Sequence, residues 1–452
     1  MPQLVGPIHS TSAGAGGEKA TDKRMLRTMM ILSCLLAVGW EQLSGTRYPL
    51  CADEQRAAPA SRGIEDPTRQ ARLSSGETLT GKIAGIDPDG KITLELDDQR
   101  QQRLLPHELI TWGVRAEPRR HSLLIMPAGQ LVVSDWKLTA DGIEIDEAGS
   151  WLLRANHLPA AVARGVILEI PSRRRDVDRL RDEILQAKRE QDEFLLFTGD
   201  VLRGVWLESS DADRLRLKTT RALVPVARDR IQAIRCATPV RSQKIERLAT
   251  QAILGFRDGS CLEVQKLEIT DDAVQLRCSD NWELTADPAS FWSELSFVQP
   301  LSTGIVYLSD VEPAAFHHTP FLTQSWQYGA NRSVSGGTLR YRGRPISKGL
   351  GMHSDSTLEY QLTESDRRFQ ALIAVDDEAG TAGSVIFRVL IDRGDGQWSE
   401  AWKSPIQRGG DPARKVEVDV RGGKRLRLQI DRADRGDEWD HANWLDACLI
   451  RN

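Results

Sequence analysis

Two short stretches near the end of this 452-residue chain concentrate the residue types that recognise polyols. One, SWQYGANRS, holds Trp326 and Tyr328; the other, DEWDHANW, holds Trp439, Asp440, His441, Asn443 and Trp444. Between them His353 follows a Gly-Leu-Gly turn. A sugar ring presents hydroxyls around its edge and a C–H face, so a site for it needs one aromatic plate and a few fixed donors and acceptors. Trp326 and Trp439, on loops rich in Gly and Asp, are the candidate plates, with Tyr328, His353, His441 and Asn443 as candidate polar or stacking partners. Trp444 leads into Leu445, Ala447 and Leu449 of a final strand and reads equally well as core.

Catalytic chemistry has no comparable footprint. The chain lacks HExxH, GxSxG and a Walker loop, and GLGMHS is missing the third glycine of a dinucleotide fingerprint. Asp376, Asp377 and Glu378 are consecutive, which points their side chains in different directions; they read as a polar turn rather than an acid and base facing a glycosidic bond. No alternation of strands and helices on the scale of a catalytic barrel is visible.

The elements that must position these residues are strands. KGLGMHSDSTLEY at 348–360 leads from a glycine turn into the alternation Thr357, Leu358, Glu359, Tyr360. AVDDEAG at 374–380, GSVIFRVLID at 383–392, RGGDPARKVEVDV and KRLRLQIDRADRGDEWDHANWLDACL follow in order. These five blocks, across 304–452, resemble the NPCBM family of carbohydrate-binding modules, a β-sandwich related to galactose-binding-like folds. The resemblance implies a jelly-roll-type sandwich, a glycan ligand, and His353 and His441 as members of the family's recurring blocks. It also implies a structural calcium held by oxygen ligands of an early loop and of a residue near the last strand, here Asn331, Ser333 and Asp446. An ordinary Asx turn explains the same residues.

Upstream, 67–300 reads as short strands and turns on a repeated plan. A glycine leads a strand at Gly76, Gly129, Gly199 and Gly259, at spacings of 53, 70 and 60 residues, and a second strand follows each after an Asp-containing turn. The expected organisation is two small β-units at 67–171, two more at 195–300, each SH3-like or Sm-like in economy, and the sandwich at 301–452. A charged segment at 172–194 breaks the pattern. It is free of Gly and Pro and spaces Val177, Leu180, Ile184, Leu185 and Ala187 as a helix does, so it is expected to be a solvated linker helix. The fold class is therefore mainly β.

Residues 1–52 read as an N-terminal extension and signal peptide, and 53–66 as a linker. Lys23, Arg24 and Arg27 precede the apolar run MMILSCLLAVGW, which at twelve residues falls short of the about 20 that a membrane span needs. The mature chain is thus expected to have no membrane span and to be secreted, periplasmic or cell-surface. In such an oxidising compartment Cys261 and Cys278, on neighbouring expected strands, could pair, although two small buried thiols fit equally. The 60 basic and 64 acidic residues are interspersed and leave a net charge of −4, which gives no footprint for nucleic acid.

The expected function is a secreted, non-enzymatic protein that binds a glycan or glycoconjugate through its C-terminal module. The alternative is a structural protein whose sandwich contacts other cell-surface proteins. An enzyme, or an accessory to a glycoside hydrolase, comes third.

Overall fold

The computed structural model describes residues 69–451, apart from 119–120, 140–141, 148–150, 153–155, 187, 209–212, 238–250, 279–281 and 322. The expected signal segment, with Cys34 and Cys51, lies outside the described residues. Strands dominate what is described, with two α-helices, Arg174–Gln186 and Pro288–Glu294. Neither helix is long and apolar enough to cross a membrane.

One pairing plan occurs four times between 70 and 300. In the first unit, strand Gln70–Leu73 pairs with both Thr78–Ile86 and Leu109–Gly113, and Thr78–Ile86 continues through Ile92–Leu96 to Gln101–Leu104. The units opening at Ser122, Asp192 and Ala252 repeat it, their first strands pairing with their second and last. The leading glycines at 76, 129, 199 and 259 all sit in first-hairpin turns at positive φ. Edge strands join the units in a row, first to fourth through Trp112 and Val298, fourth to second through Gln130 and Cys261, second to third through Val166 and Ile234. Most of their buried apolar residues fall in one cluster that draws on all four units, within which Trp151 stacks on Phe256 at 3.7 Å between ring centroids.

The remainder, from Ile305, is a two-sheet sandwich. One sheet is centred on the long last strand His441–Arg451, flanked by Gly349–His353 and Asp366–Val375; the other runs Ala315–His318, Ser356–Gln361, Arg425–Arg432, Ser384–Asp392 and Trp398–Lys403. Trp444 is fully buried between them, edge-on to Phe387 at 5.0 Å and to Phe369 at 6.0 Å. Its alternation with outward His441 and Asn443 is the period-2 pattern of a strand with one face in the core.

The sandwich is seated directly on the β-units. The last strand carries a bulge opposite Gln370 to Leu372, and Asp446 within it sits at φ 48°. Its carboxylate meets Arg72 of the first unit and accepts from Gln299 Nε2 of the fourth at 3.0 Å. Alongside, Ile110, Ile305, Tyr307 and Cys448 form an apolar seam, and the Tyr307 hydroxyl donates to the Ile110 carbonyl at 3.1 Å.

Two expectations are corrected here. The helix ends at Gln186, and Phe194, fully buried, belongs instead to strand Asp192–Leu196, whose pairing with Val201–Leu207 and Ile231–Arg235 overrides local helical pattern. Nor is the helix a solvated connector: Leu180 and Ile184 are buried, and Asp178, 4 % exposed, accepts from Arg340 Nη1 and Nη2 at 2.5 and 3.1 Å and from the Thr338 hydroxyl at 2.8 Å. Asp182 takes Arg332 in a second fork at 2.5 and 2.9 Å. Cys261 and Cys278 are not joined in a disulfide, and they lie in different apolar clusters.

Burial pushes the Asp178 carboxyl up, but the hydrogen bonds and charge of Arg340, then the charge of Arg181, outweigh it and hold the group below the ordinary carboxylate range. A carboxyl depressed on folding contributes stability that is present above its unfolded value and is lost as pH falls through the folded one. Asp178→Asn is therefore expected to cost about 3 kcal/mol at pH 7 in urea denaturation, with the deficit shrinking below about pH 4. A deficit that is unchanged at pH 3 would contradict the assignment.

Candidate functional site

The Gly349–His353 strand ends beside the start of the last strand, with His353 opposite His441 in register. Gly351, in the same strand, lies under the loop after Gly329; a Cβ there would stand 2.4 Å from the Arg332 carbonyl oxygen. Only glycine lets that loop close over the strand, while Gly329, three residues after Trp326, pairs with Gly351 at its edge. Gly383 does the same for the other approach, since a Cβ on it would stand 2.3 Å from the Trp439 carbonyl oxygen. Trp439 itself sits at φ 63°, a region uncommon for a bulky residue, with its carbonyl accepting from the His441 amide at 2.7 Å.

The result is a cluster of rings. Trp326 lies parallel to His353, with centroids 4.8 Å apart and planes 4° from parallel. His441 stands 5.6 Å from Trp326, 6.1 Å from His353 and 5.6 Å from Trp439, and His318 meets His353 edge-on at 5.8 Å. Trp326 is half-buried, His353 and His441 are buried, and Trp439 is 44 % exposed. The surface thus offers one open indole above a floor of imidazoles.

Burial keeps those imidazoles neutral. His353 is pushed down to about 4, by desolvation first and then by the neighbouring His441 and His318. Desolvation lowers His441 and His318 as well. His318 Nδ1 accepts the Trp326 amide at 3.2 Å, so this nitrogen carries no proton. His441 Nδ1 is buried without a hydrogen-bond partner among the described residues. A neutral imidazole both donates and accepts, which suits a hydroxyl; a charged pair of them would repel. Asp440, pushed up to about 6 by burial, accepts the Ser384 amide at 2.7 Å at the base of the same turn.

The structure therefore brings together Trp326, His353, His441 and Trp439. Tyr328 turns away, tilted against Phe316 at 5.3 Å on the apolar core. Asn443 faces the same side of its strand as His441 but is fully buried, its amide donating to Asp376 at 2.6 Å. The consecutive acids form a polar turn, in which Asp377 accepts the amides of Arg342 and Gly343 at 2.8 and 2.6 Å. One member of the cluster escaped the sequence reading: His318 was hidden in a short edge strand, Ala315–His318.

The oxygen ligands implied for a calcium do not fit one. Asp446 is taken by Arg72 and Gln299, Asn331 Oδ1 accepts the Gly349 amide at 3.2 Å, and the Ser333 hydroxyl pairs with that of Ser335 at 2.7 Å. No two of these side chains share a partner. Beside Asn331, the carboxylate of Asp310 already holds the Lys348 ammonium at 2.7 and 2.8 Å.

Residues 304–450 match the model of the NPCBM/NEW2 domain family. Over 210 residues the chain is 31 % identical to a protein of Renibacterium salmoninarum named "Putative endo-alpha-N-acetylgalactosaminidase"; the match takes in 42 % of this chain and 13 % of that relative's length. Among solved structures, a CBM51 module from Clostridium perfringens GH95, in complex with methyl-galactose, is 24 % identical, covers 32 % of this chain and 99 % of its own, and has a TM-score of 0.29. The CBM51-2 and INT domains of Clostridium perfringens ZmpB, in complex with GlcNAc, are 23 % identical, cover 42 % of this chain and 40 % of their own, and also score 0.29.

Because the folded His353 value lies below the ordinary histidine one, its neutral form contributes stability that is complete above about pH 6.5 and is lost as pH falls toward 4. Imidazole NMR titration is expected to show His353 neutral at pH 5.5, when an exposed histidine is mostly charged. A midpoint near 6.5 would mean the ring floor is open to water.

Proposed function

We propose that this protein, whose residues 304–450 form an NPCBM domain, is an extracytoplasmic glycan-binding protein that reads a neutral, hydroxyl-rich sugar with the rings at the head of its last strand. The observation that carries this reading is the parallel Trp326–His353 stack beside the exposed Trp439. An indole held rigid at its own cost in backbone strain is poised to take the C–H face of a pyranose, and the neutral imidazoles supply donors and acceptors for its hydroxyls. A shallow surface of this kind selects by the position of a few hydroxyls, so affinity for a single sugar is expected to be modest.

N-acetylgalactosamine and galactose are the first ligands to try, because the Renibacterium relative is named for hydrolysis of an N-acetylgalactosaminide. The reading is of a binder rather than a hydrolase, supported by the lack of a recognisable catalytic motif in the chain. Its place outside the cytoplasm rests on the charged and apolar pattern at 23–40.

Titration of the full chain with a neutral glycan panel is expected to change tryptophan fluorescence for at least one member. Trp439→Ala and Trp326→Ala should each weaken that binding about 10-fold, equivalent to ~1.4 kcal/mol, while Tyr328→Phe leaves it within a factor of two. A folded chain that is silent across the panel would sink the proposal, and turnover of chromogenic glycosides would sink its non-enzymatic half.

A further inference from the structure

A second cleft, of about 630 Å³, opens where the β-units, the helix and the sandwich meet, away from the ring cluster in both residues and chemistry. Five arginines line it: Arg115, Arg174, Arg257, Arg342 and Arg344. They come from four separate places in the fold. Arg115 follows the last strand of the first unit, Arg174 opens the helix, Arg257 lies in the first hairpin turn of the fourth unit, and Arg342 and Arg344 belong to a tight hairpin of the sandwich.

The two carboxylates that share this lining are already committed. Glu117 accepts from Arg340 Nε at 2.8 Å. Asp258 is drawn into the wall by the Trp151 indole at 3.1 Å and the Ser260 amide at 2.7 Å, and its burial raises its affinity for a proton. The arginines are matched only in part: Arg174 Nε stands 4.0 Å from Glu117, a carboxylate that Arg340 already holds, and the others have no carboxylate of the lining to themselves. Arg115 reaches only the Ser347 hydroxyl, at 3.0 Å, and its Nε is buried without a hydrogen-bond partner among the described residues. Arg257 donates through Nε to the Ser293 carbonyl at 2.9 Å, which leaves the terminal nitrogens of its fork free of that bond.

The hairpin is built to present its two arginines. Arg342 and Gly343 both lie at positive φ, 51° and 73°, the geometry of a two-residue type I′ turn, which ordinarily carries Asn-Gly. Here an arginine occupies the strained first position, and the Asp377 carboxylate accepts both turn amides to hold it there.

In a chain of net charge −4, a concentration of arginine forks facing one cavity calls for an anion with planar or trigonal oxygens. We propose that this cleft binds an acidic saccharide, one bearing carboxylate or sulfate groups, independently of the neutral-sugar site at Trp326. A nucleic acid is the poorer occupant, since the cleft is lined by no Phe, Tyr or Trp among the described residues on which a base would stack. Its volume suits a unit of one to a few sugars, within the roughly 300–1,000 Å³ of ordinary ligand pockets.

The test uses calorimetric titration of the full chain with three probes of matched length: a heparin-derived oligosaccharide, an oligogalacturonate and an oligoribonucleotide. One or both acidic saccharides should bind, with affinity falling steeply between 50 and 300 mM salt; which of the two is tighter distinguishes sulfate from carboxylate recognition. The double variant Arg174→Ser/Arg344→Ser should weaken that binding at least 10-fold while leaving the thermal midpoint and any neutral-sugar response at Trp326 unchanged. The proposal is overturned if neither saccharide binds wild-type protein, if the double variant binds as well as wild type, or if the oligoribonucleotide binds more tightly than both and is lost with the same variant.

Discussion

The Arg340 guanidinium is the point on which the architecture turns. It is 9 % exposed, and its fork spans from Asp178 on the helix to Glu117 on the segment that leaves the first β-unit. A charge so buried is tolerated only when its partners are fixed, and fixing them ties three parts of the chain together. Asp178 in turn accepts the Thr338 amide and hydroxyl, so the loop between the two halves of the sandwich face is set by the same carboxylate. Hydrophobic contact along the Ile110–Tyr307 seam supplies attraction without direction; the Arg340 fork supplies the direction.

From that clamp follow the positions of the two candidate sites. Arg342 and Arg344 lie just beyond Arg340 in the same hairpin, and Arg174 begins the helix that Asp178 anchors, so the arginine cleft exists only while the fork is closed. The ring cluster depends on a different constraint, the pairing of Gly329 with Gly351 and the close passage of residues 332–334 over that glycine. One site is thus a property of the assembled chain and the other a property of the sandwich. Their chemistries differ accordingly: neutral imidazoles desolvated against an indole in one, permanent cations in excess of their carboxylates in the other.

Much of this was legible in the residues. The four glycine-led hairpins show because a strand period of two interrupted by a glycine at positive φ is a local signal, written within a dozen residues. Trp326, His353, Trp439 and His441 stand out because aromatic and imidazole side chains on Gly- and Asp-rich loops are costly unless used. The misplaced helix end at Phe194, and the reading of that helix as solvated, have a common cause. A charged helix looks exposed in sequence, and only the arrival of Arg340 and Arg332, about 150 residues later, shows that its acids face partners. Asp446 fails the same way, since its partner Arg72 lies 374 residues earlier and the bulge that aims it has no sequence signature. Asn443 was the right type on the right face, but its complete burial and its bond to Asp376 are tertiary facts.

The direct seating of the sandwich changes what the β-units can contribute. A module on a flexible tether samples many distances, and a second site then adds affinity only through an effective concentration that falls with linker length. Here Ile305 follows the last strand of the fourth unit, Leu295–Pro300, after a few residues, and Asp446, Gln370 and Arg368 all bond back to the first or fourth unit. A rigid separation makes bivalent engagement all or nothing: a glycan whose acidic and neutral groups match the spacing gains from both sites, and any other gains from one. The β-units then act as more than spacers, because they supply three walls of a cleft that the sandwich alone does not possess.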